Sequence, residues 1–204
     1  MRAKQFNQWI KYEKIPRFFI TQLQFAVKGP RGLGSRRMPF TPFHFGPTLA
    51  LGLLFKRRWH APTFIIANMI VDLEPLLVIF LGLDYPLHGY LHTFILASFL
   101  GCLLGCAMFL LEGIFHQIWK VLLLDDGDRR LRVTSFMISG ALGMIFHVFL
   151  DSPLYDDIKP LYPIFTNPFY NPSLSLEIYS FCVLIGIVGL AYYLRLILIA
   201  KYKT

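Results

Sequence analysis

Four stretches of this chain are apolar and long enough that lipid, not water, is their natural solvent: residues 62–82, 91–114, 133–150 and 176–200. About twenty apolar residues in a helix span the roughly 30 Å of bilayer hydrocarbon. In that medium each backbone N–H and C=O needs a partner inside its own segment, so such runs are helices. The whole chain is 55% hydrophobic with a mean hydropathy of +0.54, which excludes an ordinary soluble domain. A fifth run, HFGPTLALGLLF at 44–55, is too short to cross unaided, and tilt, flanking residues or a re-entrant path must make up the difference. The expected fold is all-α: a polytopic helical membrane protein of four to five membrane segments, the first short and compatible with re-entry. Residues 41–204 form one membrane domain.

Residues 1–40 are different. They hold nine Lys and Arg against the single acid Glu13, a surplus equal to the +8 net charge of the whole chain. Trp9, Ile10, Tyr12, Phe18, Phe19, Ile20 and Phe25 are interleaved with charges that rule out a span over 5–28, and an amphipathic interfacial helix fits instead. Lys28–Pro42 reads as a Gly-, Pro- and Arg-rich loop. Beside membrane spans, such an arm is drawn to anionic lipid headgroups; nucleic acid is the lesser reading of the same charge. No cleavable signal peptide is expected, because the N-terminus lacks an uninterrupted apolar stretch and a small-residue cleavage site.

The segment 151–175 carries five prolines with Tyr155, Tyr162, Phe165, Phe169 and Tyr170. That composition predicts an ordered interfacial loop rather than a helix. Cys102 and Cys106 share their four-residue spacing with Gly101 and Gly105, a small-residue face suited to close helix packing rather than to redox or metal chemistry. Orientation is finely balanced. If all five segments cross, ten Lys and Arg fall on one face and nine on the other, and the positive-inside rule does not choose. If 44–55 re-enters, Lys159 stands alone among the loop cations on its face, and the ends bearing His88 and His147 look away from the cytoplasm.

Against this apolar background the ionisable side chains stand out. Asp72, His88, His92, His147 and Asp151 lie within or at the ends of apolar runs, Glu74 is near Asp72, and His44 opens the first run. Placing such groups beside hydrocarbon costs a few kcal/mol each on insertion scales, which makes them functional candidates. Imidazole and carboxylate are also the ligands of Zn²⁺ and similar ions. His88 and His92 are four apart, as are His147 and Asp151, so each pair would share one helix face. On antiparallel neighbours the two pairs would meet at one membrane face. Asp72 and Glu74 are two apart and cannot both face one ion unless the helix breaks; Pro75 supplies a cause for a break. Local ion pairs and caps for the acids, and interfacial hydrogen bonds for the histidines, are the alternative readings. His60 and His116, beside Trp59 and Trp119, read as interface anchors.

The ordered set TPFHFGP (41–47), VDLEP (71–75), PLHGYLHTF (86–94) and HVFLDSPLYDDIKPLYP (147–163) resembles the membrane-bound, metal-dependent hydrolases of bacterial inner membranes, a family that includes LexA-regulated members. That resemblance places the family's motif residues on His44, on Asp72 with Glu74, on His88 with His92, and on His147 with Asp151. Val71, Glu74 and Gly89 stand where the family usually has proline, aspartate and arginine. It implies a multi-pass inner-membrane protein whose divalent metal, zinc in the first instance, is held by His44, Asp72, Glu74, His88, His92, His147 and Asp151. Of these, Asp72, His88, His92, His147 and Asp151 would be catalytic. Seven candidates exceed the four ligands of one tetrahedral zinc, so two ions are credible. A site at the bilayer face suits a lipid or lipid-linked substrate, with phosphoester hydrolysis the preferred reaction. No Gly-x-Ser-x-Gly elbow is present to point to serine lipase chemistry. The rivals are a metal-ion transporter, for which no internal repeat is visible, and a structural membrane protein whose polar groups tie helices together.

Overall fold

The computed structural model describes residues 42–124 and 131–203. The basic arm, with its expected amphipathic helix and following loop, lies outside the described residues. Every regular element among those described is helical: α1 (Phe45–Phe55), α2 (Ala61–Ile70), α3 (Leu73–Leu81), α4 (Phe94–Val121), α5 (Val133–Asp151) and α6 (Ser175–Lys203), with short 3₁₀ turns at Pro42–His44, Tyr90–His92 and Pro172–Leu174. Four stretches, Ala61–Leu81, Phe94–Val121, Val133–Asp151 and Pro172–Tyr202, are long and apolar enough to cross a membrane, and the 11-residue α1 is not. The chain is a multi-pass membrane protein by this architecture.

The α2–α3 span breaks where the sequence says it should. Pro75 has no N–H to offer the Val71 carbonyl. That carbonyl is taken instead by the Glu74 N–H at 3.2 Å, one residue early, and Leu76 N–H resumes the helical pattern on Asp72 O at 3.2 Å. Asp72 therefore stands at a turn near the middle of the 21-residue span. The span closes on Gly82, whose left-handed backbone (φ 61°, ψ 38°) lets Leu83 N–H reach back to Val78 O at 3.0 Å, a glycine stop with both late carbonyls satisfied.

Small residues set the helix directions. α4 and α5 run antiparallel, packed through glycine: a Cβ on Gly101 would lie 2.5 Å from the Gly140 carbonyl oxygen, and Gly105 abuts the Phe136 backbone. Such close approach gives apolar helices the backbone contact that lipid does not supply. α2 runs parallel to α5, joined by His60 N–H to Ser139 Oγ (2.8 Å) and Asn68 Nδ2 to Gly143 O (3.3 Å). α1 runs parallel to α6, with Gly46 against Gly186 and Ala50 against Gly189. Large apolar side chains remain exposed along α4 and α6, Leu110 and Val188 among them, as lipid-facing helices require.

Two chemically distinct ends result. At one, Lys56 Nζ and Tyr193 Oη donate to the carbonyls of Leu123 and Leu122 at the close of α4 (3.4 and 2.9 Å). Lys56, Arg57, Arg58, Lys120, Arg132 and Lys201 lie along the elements meeting there. At the other end are the connections 82–93 and 152–174, whose one Lys or Arg is Lys159. The proline-rich connection is ordered, as expected. Asn167 Nδ2 donates to Ser152 O (2.7 Å) and Tyr155 O (2.9 Å), Phe94 N–H donates to Pro160 O (2.9 Å), and Leu154, Tyr155 and Ile158 form a small core against Ile178 and Tyr179.

Candidate metal centre

The second end carries the ionisable residues, directly above a core of Ala67, Val71, Ala97, Met144 and Val148. Asp72 comes from the break between α2 and α3, His92 from the 3₁₀ turn before α4, and His147 and Asp151 from the last turns of α5. Each offers one ligand atom, and the four atoms lie within 4.8 Å of one another, all on buried residues. His147 Nε2 is 3.4 Å from Asp72 Oδ1 and 3.1 Å from Asp151 Oδ2, and His92 Nε2 is 3.9 Å from Asp151 Oδ2. The pair on α5 is joined one turn apart, as its spacing predicts.

These atoms pair closely with one another, but without the alignment of well-formed hydrogen bonds. His92 Nε2 and His147 Nε2, the nitrogens that face the carboxylates, are buried without a well-formed hydrogen bond among the described residues. A buried polar atom left so costs about 1–3 kcal/mol. Two imidazole nitrogens and two carboxylate oxygens converging in this way are the donor set and number of a four-coordinate divalent cation, and a cation at their centre would satisfy them. The residues fit a metal.

The remaining candidates surround this group. His44, in the 3₁₀ turn before α1, is buried with Nε2 3.3 Å from Asp151 Oδ1 and its ring 5.0 Å from that of His147. Glu74 stands outside the four. Its Oε2 is 3.0 Å from His92 Nδ1 and accepts the N–H groups of Gly89 (3.1 Å) and Leu91 (3.2 Å). The break at Pro75 thus frees Asp72 and Glu74 from opposite faces of a helix, but sends the first to the ligand group and the second behind one of its histidines.

The 88–92 segment departs from the expected helical pair. His88 precedes the 3₁₀ turn that contains His92, and α4 begins only at Phe94. Pro86 and Gly89 interrupt the approach, and Thr93 caps the helix by accepting Leu96 N–H at 3.3 Å. The two rings still meet edge to face at 4.7 Å, by loop folding instead of helical periodicity. His88 Nδ1 goes to Asp157, 2.9 and 3.0 Å from its two oxygens. Burial works against ionisation of Asp157, but the His88 ring and backbone hydrogen bonds hold its carboxyl below the usual range.

Asp157 and Tyr85 escaped the sequence reading. Asp157 sits beside Asp156 in an aperiodic proline-rich loop, with no spacing to single it out. Tyr85 carries no motif or spacing to mark it, yet its hydroxyl donates to Glu74 Oε1 (3.4 Å) and accepts the Tyr90 N–H (3.2 Å). His60 and His116, expected as membrane-surface anchors, belong to a separate cluster toward the basic end. His60 is buried, and Glu112 sets one oxygen 3.2 Å from each imidazole. No family model, curated protein or solved structure matches the chain.

Proposed function

We propose that this chain is a membrane-embedded, metal-dependent hydrolase of the inner membrane that cleaves a phosphoester in a lipid or lipid-linked substrate. The observation that carries the reading is the buried convergence of Asp72, His92, His147 and Asp151. The motif order from His44 to Asp151, similar to that of the membrane-bound metal-dependent hydrolases, gives it direction. Zinc is the metal that two imidazoles and two carboxylates suit first. When bound there, such an ion polarises an ester oxygen and makes water a nucleophile near neutral pH.

The chain's own residues would do the rest. Asp72, His92, His147 and Asp151 bind the ion, and Glu74 orients His92 through Nδ1, the carboxylate–histidine support common behind metal ligands. Exposed Tyr90, Ile164 and Phe165 at the same end supply an interfacial aromatic and apolar surface on which a lipid can lie. With Lys159 the one Lys or Arg in these connections, the charge opposing a substrate phosphate comes chiefly from the bound ion.

The test is hydrolysis of phospholipid in mixed micelles by the purified protein, with zinc and after chelation. Metal-dependent release of phosphate or headgroup that disappears in His147→Ala is the expected result. Zinc uptake into liposomes with no turnover would replace this reading by a transporter. Zinc binding without either activity would leave a structural ion.

A further inference from the structure

His88 and His92 are held by the same device but put to different ends. Each gives its Nδ1 to a carboxylate from a distant element, His92 to Glu74 on α3 and His88 to Asp157 in the connection after α5. His92 thereby directs Nε2 into the ligand group. His88 lies outside that group, although its ring is only 4.7 Å from that of His92 and packs 4.3 Å from Tyr155. Its grip is also the firmer one. Both Asp157 oxygens reach the ring, and Oδ2 accepts the His88 backbone N–H at 3.3 Å, so main chain and imidazole are fixed by one carboxylate. With Nδ1 committed to Asp157, the nitrogen left to His88 for exchanging a proton is Nε2.

We propose that His88 is the proton-transfer residue of this site rather than one of its ligands, and that Asp157 is the positioning residue that fixes its ring and tautomer. The inference rests on the hydrolase reading above. In the reaction it implies, a water oxygen bonds to phosphorus as the bond to the ester oxygen breaks. His88 Nε2 takes the proton released from the attacking water and passes it to the departing oxygen, so the sum is ester plus water giving phosphate and alcohol. The geometry parallels other imidazole–carboxylate pairs, in which the acid orients the base and does not itself take the proton. It also gives the loop 152–160 a part in the chemistry, since Asp157 and the Pro160 carbonyl tie it to His88 and Phe94.

The experiment compares wild type with His88→Gln and Asp157→Asn on two probes, dioleoyl phosphatidic acid in mixed micelles and 4-nitrophenyl phosphate, and measures bound zinc in each protein. The first probe releases an alkoxide that needs a proton. The second releases an anion stable near neutral pH that does not. Turnover of the phosphatidic acid should fall about 100-fold or more in His88→Gln, at the low end of general-acid contributions, and about tenfold in Asp157→Asn. Loss on the nitrophenyl ester should be at least tenfold smaller in each case, with zinc content held at the wild-type value. Zinc loss in His88→Gln as complete as in His147→Ala would make His88 a ligand and overturn the inference alone. Equal loss on both probes would also overturn it, by showing a structural role. A wild type that binds zinc but cleaves neither ester would overturn the hydrolase reading and this inference with it.

Discussion

Asp72 Oδ1 lies 3.4 Å from His147 Nε2, which ties the mid-span break between α2 and α3 to the last turns of α5. Pro75 follows closely, and an unbroken helix would carry Asp72 and Glu74 to opposite faces. Replacing Pro75 with Ala should let the helix run through Val71–Glu74 and lower metal affinity, although residue 75 touches no ion. Zinc titration of Pro75→Ala against wild type checks this; unchanged affinity would mean the break is held by something other than proline.

Glu74→Gln removes the anionic acceptor behind His92 Nδ1 while preserving shape. Loss of such a support costs about 10- to 100-fold in metal affinity or activity. Because Glu74 also accepts the Gly89 and Leu91 N–H groups, the 88–92 turn should loosen in the same variant. Competition with a chelator of known affinity measures the first effect, and amide exchange at Gly89 and Leu91 the second.

Gly101→Val would place a side chain against the Gly140 backbone, 2.5 Å from its carbonyl oxygen at Cβ alone. Overpacking of this kind costs about 1–3 kcal/mol, and backbone cannot step aside as a flexible side chain can. A lower thermal midpoint in detergent is expected, whereas Gly113→Val, with open space around its Cβ, should leave the midpoint near wild type.

Three spans separate Arg57 from Ser173, so cysteines at these positions should react with an impermeant maleimide from opposite sides of the membrane. Labelling from the same side would mean that one of the three does not cross, and the broken Ala61–Leu81 span would be the first suspect. Carbonate washing should not release the protein, since salt and pH weaken headgroup attraction but not the burial of apolar spans.

Much of this arrangement was written locally in the chain. The spans were legible because lipid-facing helices need apolar residues on every side. The His147–Asp151 pair was legible because a helix converts a four-residue spacing into contact. The loop contacts were not. His88 and His92 share that spacing, but Thr93 starts the helix after them, so their meeting depends on how 82–93 folds. Glu74 and Asp157 reach their histidines across 18 and 69 residues, distances over which periodicity carries no information. His60 looked interfacial beside Trp59 because nothing in its neighbourhood announces Glu112 on another helix.

The most direct test of the account is elemental analysis of the purified protein after zinc loading and removal of free ion. Wild type should retain at least one zinc per chain and His60→Ala the same, because His60 lies outside the ligand group. His147→Ala and Asp151→Ala should retain little or none. A wild type without tightly held metal, or full occupancy in both α5 variants, would contradict the metal centre on which the function rests.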